Sequence, residues 1–216
     1  MKKLPCSIAL FAVLVAGTET RAATYTDTAG LYTATDNLAP LDASSPTYSF
    51  EDIRATGTRI PRGDSFVFGP IPIGFTFDFY RVSKTELYIV DNGYISFDPA
   101  VRTNMWTQPI PAAANPHSLI VAYWVDYYPV SDGWIGYELR GTAPNRRLIV
   151  QFWAVWAEVS LISHSWQIVL FEGSDEIEVR YPSARALLYY DGSAGIQNQD
   201  ASLGLQWAYG HELDIP

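Results

Sequence analysis

The chain has 216 residues, 48% of them hydrophobic and 14% aromatic, and a formal net charge of −9. That length supports one domain with a sizeable core, and the composition excludes a disordered chain. The acidic balance, with no basic stripe, excludes nucleic acid and anionic membrane surfaces as partners, because both need Lys and Arg against phosphate.

Lys2 and Lys3 precede the apolar run at residues 8–17 (IALFAVLVAG), which is about half the length of a membrane-spanning helix. Thr20-Arg21-Ala22 then supplies small residues where a signal peptidase reads, so residues 1–22 are expected to be a signal peptide cleaved before Ala23. Cleavage removes three of the 14 basic and one of the 23 acidic residues, and the net charge becomes −11. Cys6, the single cysteine, leaves with the signal. The exported chain would then hold together by its core alone, without disulfides. The expected location is secreted or cell-surface, with the periplasm as the alternative, and no later stretch could span a membrane.

Residues 23–46, rich in Thr, Ala, Asp and Ser, read as an irregular lead-in from which Tyr25, Leu31 and Tyr32 could dock on the body. The folded domain is expected over residues 47–216. Residues 47–60 carry YSFEDI and ATGTRI, and Arg62-Gly63-Asp64 makes a turn before SFVFGPI. That Arg-Gly-Asp triplet is read as a turn, not as an adhesion motif.

In residues 71–99, Phe75, Phe77 and Phe79 alternate with Thr76, Asp78 and Tyr80, the period of a strand. A polar linker leads to LYIV-DNG-YISF, read as a hairpin with a two-residue type I′ turn at Asn92-Gly93. That register pairs Val90 with Ile95 and Tyr88 with Phe97, placing these four on one face and Leu87, Ile89 and Tyr94 on the other. A hairpin apolar on both faces belongs inside a sheet.

A Pro-, Ala- and Asn-rich loop containing Trp106 follows at residues 99–116, and SLIVAYWVD at residues 118–126 reads as a buried strand. Further strands are expected at residues 133–140, 146–156, 164–171, 176–181, 193–197 and 202–209, separated by turn residues. With no amphipathic helix and about a dozen short strands, the fold class is all-β, a single-domain antiparallel β-sandwich.

Several of these stretches, in this order, resemble the nidogen-like extracellular domain of bacterial secreted and surface proteins. IGFTFDFY with TELYIVDNGYISF is similar to that family's strand and hairpin. LIVAYWVD, with Trp124 and Asp126, resembles its buried strand. GTAPNRRLIVQF, WQIVLFEGSDEIEVRY and AGIQNQDASLGLQW resemble its later strands. The likeness spans roughly residues 51–209. Arg81 stands where the family tends to have Gly, and Tyr127 and Tyr128 stand where a second acid is common. The resemblance implies an extracellular module of matrix, surface or adhesion proteins, and implies no catalytic activity.

The residues themselves assemble no catalytic constellation. His117, His164 and His211 lie outside any nucleophile elbow or zinc-binding helix and read as solvated histidines. Asp126, Asp132 and Glu158 are the candidates for a glycosidase-type carboxylate pair. Asp126, Ser131 and Asp132 could supply oxygens to calcium, the candidate cation, or simply shape turns.

Tyr127, Tyr128 and Trp134 flank the same loop, Trp153 and Trp156 lie three apart, and Trp166, Tyr189 and Tyr190 follow. Trp124, Trp153 and Trp166 read as core. Asp126, Tyr127, Tyr128, Asp132 and Trp134 therefore form the expected ligand-binding set, with Asp126 and Asp132 as the expected metal ligands. The leading reading is an exported, non-catalytic module that binds an extracellular protein or glycan. The alternatives are a secreted carbohydrate-active enzyme and a self-associating structural subunit of an extracellular assembly.

Overall fold

A computed structural model describes residues 6–11, 24–37, 45–61, 63–103, 107–128, 133–158, 163–182 and 192–210. They form fifteen strands: β1 Cys6–Phe11, β2 Thr24–Thr26, β3 Tyr32–Asp36, β4 Thr58–Arg59, β5 Val67–Phe79, β6 Val82–Val90, β7 Tyr94–Ser96 and β8 Leu119–Trp124, then β9 Tyr127–Tyr128, β10 Trp134–Arg140, β11 Arg147–Ala157, β12 Ser163–Phe171, β13 Ile177–Arg180, β14 Gly192–Gln197 and β15 Gly204–Gly210. No helix occurs among the described residues. One sheet runs β2-β3-β1-β13-β12-β11-β10-β4, with β9 added on β11, and the second runs β15-β14-β8-β7-β6-β5. The all-β sandwich expected from the sequence is the fold observed. Within the stretch read as a signal, β1 lies between β3 and β13, parallel to both. The stretch read as an irregular lead-in contains the antiparallel pair β2–β3, and Tyr32 is buried against Phe79 and Tyr80.

The strands follow from alternation. In β5, Ile71, Ile73, Phe75, Phe77 and Phe79 point into the sandwich while Pro72, Gly74 and Thr76 face outward. Opposite them, Leu148, Val150 and Phe152 of β11 and Trp166, Ile168 and Leu170 of β12 complete one continuous core. Burying each such side chain contributes about 1.5–3 kcal/mol, so this layer dominates the stability of the fold.

The hairpin register differs from the one the sequence suggested. Val90 pairs with Tyr94, Ile89 with Ile95 and Tyr88 with Ser96, so the connection has three residues, Asp91-Asn92-Gly93, instead of two. Gly93 takes φ +98°, which gives a positive-φ residue at the end of a three-residue hairpin loop. The extra loop residue exchanges the faces. Leu87, Ile89, Ile95 and Phe97 lie in the main core, and Val90 and Tyr94 lie on the outer face with Tyr88 packed against them.

The two-residue turn is at Tyr80-Arg81, between β5 and β6, with φ of 47° and 65°. The "polar linker" is thus the first half of β6. Positive φ at two side-chain-bearing residues costs about 1–2 kcal/mol each. At Tyr80 packing against Tyr32 and Phe79 holds that geometry in place. It also explains why glycine suits position 81.

Both sheets are apolar on their outer faces too, and each is covered by an irregular strap. Ile53 packs on Trp134, Ile149 and Val169 of the first sheet. The register-paired Gln151 and Gln167 hold this strap: Ile53 N donates to Gln151 Oε1 at 3.0 Å, and Gln167 Nε2 donates to Glu51 O at 2.6 Å. On the second sheet, Val101 and Ile110 cover Val90, Tyr94, Leu119, Val121 and Trp124. There Ile110 N donates to Gln206 Oε1 and Ala112 N to Gln197 Oε1, both at 2.8 Å. Neutral amides satisfy the straps' backbone groups without the desolvation cost of a buried charge.

Replacing Arg81 with Gly is expected to stabilise the protein by about 0.5–1 kcal/mol, because strain at an exposed positive-φ position is relieved. Chemical denaturation checks this, and a loss of stability would show that the Arg81 side chain contributes more than the strain costs.

Candidate functional site

The chain passes from the second sheet to the first at Val125-Asp126, between β8 and β9, and the Asp91-Asn92-Gly93 loop is seated in that corner. Asn92 Oδ1 accepts the Tyr127 N–H at 3.0 Å, and Gly93 O accepts from Ala122 and Tyr123 at 3.4 and 3.5 Å. A Cβ on Gly93 would lie 2.0 Å from Tyr123 O, so only glycine allows the approach. Asp91 and Asn92 are buried. The hairpin tip is thus an internal buttress for the segment that carries the expected site.

Asp91 Oδ2 accepts the Phe66 N–H at 2.9 Å, while Oδ1 is buried without a partner. Burial pushes this carboxyl up to about 7 against the pull of the Phe66 N–H, and the nearby Asp64 charge raises it further. Asp91 lines a small cavity with Arg59, Ile60, Phe66, Gly133 and Ile135.

Of the expected ligand-binding set, the structure separates Tyr128 from its neighbours. Tyr127 is 1% exposed and Trp134 is 9% exposed, whereas Tyr128 is 51% exposed. Tyr127 therefore belongs to the core, and Trp134 packs under the strap with Ile53. Asp132 and Ser131, needed for the expected calcium site, lie outside the described residues, as do Trp106, Tyr189, Tyr190 and His211. Among the described residues no group of three or more His, Cys, Asp or Glu side chains is arranged to hold a metal ion.

Asp126 is half-buried and sits across from Glu158, whose backbone N–H donates to Asp126 O at 3.0 Å. Burial first, then the Glu158 carboxyl, then Asp64, pushes Asp126 up to about 6. This is the one carboxylate combination from the sequence that the described residues bring together.

His164 corrects a further expectation. It is 1% exposed, not solvated, and its Nδ1 lies 2.9 Å from Tyr127 Oη, with Tyr123 and Tyr127 edge-on to the ring. Burial drives its pKa down to about 4, so it is neutral at physiological pH and serves as a packing element of the core. No local sequence signal marks it; only its strand parity in β12, opposite Val155, places it inward.

A family model described as NIDO related matches residues 41–214. No curated protein and no solved structure matches the chain.

Asp91 gives a pH test with a definite sign. Its folded pKa lies above the ordinary carboxylate value, so its stabilising contribution is complete below pH ~4 and is lost as pH rises to about 7. Asp91→Asn keeps an acceptor for Phe66 N–H and removes the buried charge. Thermal melts are expected to show the variant several degrees more stable than wild type at pH 8, with the advantage gone at pH 4.5. An equal difference at both pH values would contradict the assignment.

Proposed function

The chain belongs to the NIDO-related family, and on that premise we propose that it is an exported, non-catalytic β-sandwich module that recognises a protein or glycan outside the cytoplasm. Family membership supports an extracellular binding-type module, and Lys2, Lys3 and the apolar run at residues 8–17 support export. Among the described residues no helix is long and apolar enough to cross a membrane.

The observation that carries the reading is local. At a corner where Tyr123, Trp124 and Tyr127 are all buried, Tyr128 alone stands out into solvent, beside the Asp126–Glu158 carboxyl pair. An aromatic ring with a hydroxyl, next to acceptors and on a rigid buttress, is the kind of surface that recognition uses.

Tyr128→Ala is expected to abolish capture of envelope or culture-supernatant components by the immobilised full-length chain, while moving Tm by no more than about 1 °C. Tyr127→Ala, which empties a core position, is expected to lower Tm by several degrees. Capture that survives in Tyr128→Ala would remove this corner from the binding surface.

A further inference from the structure

The β9–β11 ladder sorts the corner residues by face. Tyr128 pairs with Trp156 and Tyr127 with Ala157, and Glu158 N donates to Asp126 O at 3.0 Å, so Asp126 faces Glu158 at the next rung. Side chains alternate along a strand. Tyr127 and Ala157 turn into the core and are buried. Tyr128, Trp156, Asp126 and Glu158 consequently share the outward face as two adjacent pairs, one aromatic and one acidic. Burial agrees: Tyr128 and Glu158 are exposed, and Trp156 and Asp126 are half-buried.

Trp156 reaches that face through a bulge. The pairing of β11 with β12 shifts between Phe152 and Val155, and Ala154 takes φ 49° with its N–H held by Ser165 Oγ at 2.9 Å. Phe152 and Val155 are both in the main core although three residues apart. Under unbroken alternation from Phe152, Trp156 would share its inward parity. A bulge that re-aims one large aromatic side chain outward is a common device beside binding sites.

We propose that Tyr128, Trp156, Asp126 and Glu158 form a carbohydrate-binding platform that takes a neutral pyranose of an extracellular glycan. This deepens the binding-module reading given above and rests on it. Directly opposed cross-strand residues bring their Cβ atoms to about 4.5–5.5 Å, so the two aromatic side chains offer a floor of sugar-ring size. A pyranose has an apolar C–H face that suits aromatic rings and a rim of hydroxyls that donate to carboxylate oxygens.

Exposed Ser163, opposite Trp156 on β12, extends the polar rim. Four residues make a surface far smaller than the 20–30 residues a protein partner occupies on each side. The acidic pair and the net charge of −9 exclude sulfated or sialylated glycans.

The test is an array of neutral, sialylated and sulfated glycans probed with the full-length chain, paired with capture of envelope proteins on the same preparation. The expected result is retention of a neutral glycan, an affinity at least tenfold weaker in Trp156→Ala, and one within about threefold of wild type in Trp156→Phe, with near-UV circular dichroism and Tm confirming that both variants fold. Retention unchanged in Trp156→Ala, or confined to anionic glycans, would overturn the proposal. Protein capture through Tyr128 with no glycan retained would also overturn it and leave the binding-module reading standing. Failure in both arms would remove both.

Discussion

The Asn92-Gly93 seat in the sheet-crossing corner is the constraint on which the rest of the described site depends. The chain must leave one sheet after Trp124 and enter the other at Tyr127, with only Val125 and Asp126 between. The Asn92 carboxamide fixes the Tyr127 amide at 3.0 Å, and the bare Cα of Gly93 lets the turn press against Tyr123 O. Once Tyr127 is held, strand parity decides the remainder: Tyr127 goes in to meet His164, Tyr128 goes out, and Asp126 faces Glu158. A buried turn thus sets which side chains of a surface corner reach solvent.

The same economy explains why the sheets are apolar on both faces. A six-stranded sheet with Val90, Tyr94, Val121 and Trp124 on its outer side cannot face water, and the strap carrying Val101 and Ile110 covers it. The other sheet is covered by Ile53. Each strap brings unpaired backbone groups that need partners in a dry setting. Gln151 and Gln167 supply them on one side, Gln197 and Gln206 on the other. Two architecturally unrelated segments are therefore fastened by the same chemistry, a glutamine amide projecting from a strand.

Much of the fold was legible because alternation is a local signal. Phe75, Phe77 and Phe79 announce an inward-facing strand, and the later strands with their turns announce a sandwich. The loop length at Asn92-Gly93 was not legible, since a two-residue and a three-residue loop both place Gly at a positive φ. The register, and with it the choice of face, is settled by where Phe66 and Tyr127 meet the loop. The turn at Tyr80-Arg81 was hidden for the opposite reason: neither residue favours positive φ, and distant packing by Tyr32 overrides local preference. The straps were hidden because a covering segment has no period of its own.

The corner that carries the proposed platform was marked in the sequence by an aromatic, acidic stretch at the end of a buried strand, but which of its side chains face outward was not. Tyr127 and Tyr128 are chemically identical neighbours, and only pairing with Ala157 and Trp156 separates them. Trp156 stands outside the expected set because a bulge at Ala154 resets its parity, an event without a residue signature. The most direct test of the account is backbone hydrogen exchange at Tyr127. If the Asn92 carboxamide holds this amide in the corner, it exchanges as slowly as the amides of β8, through global unfolding. Exchange as fast as that of an exposed loop amide would contradict the buttress and the side-chain placement derived from it.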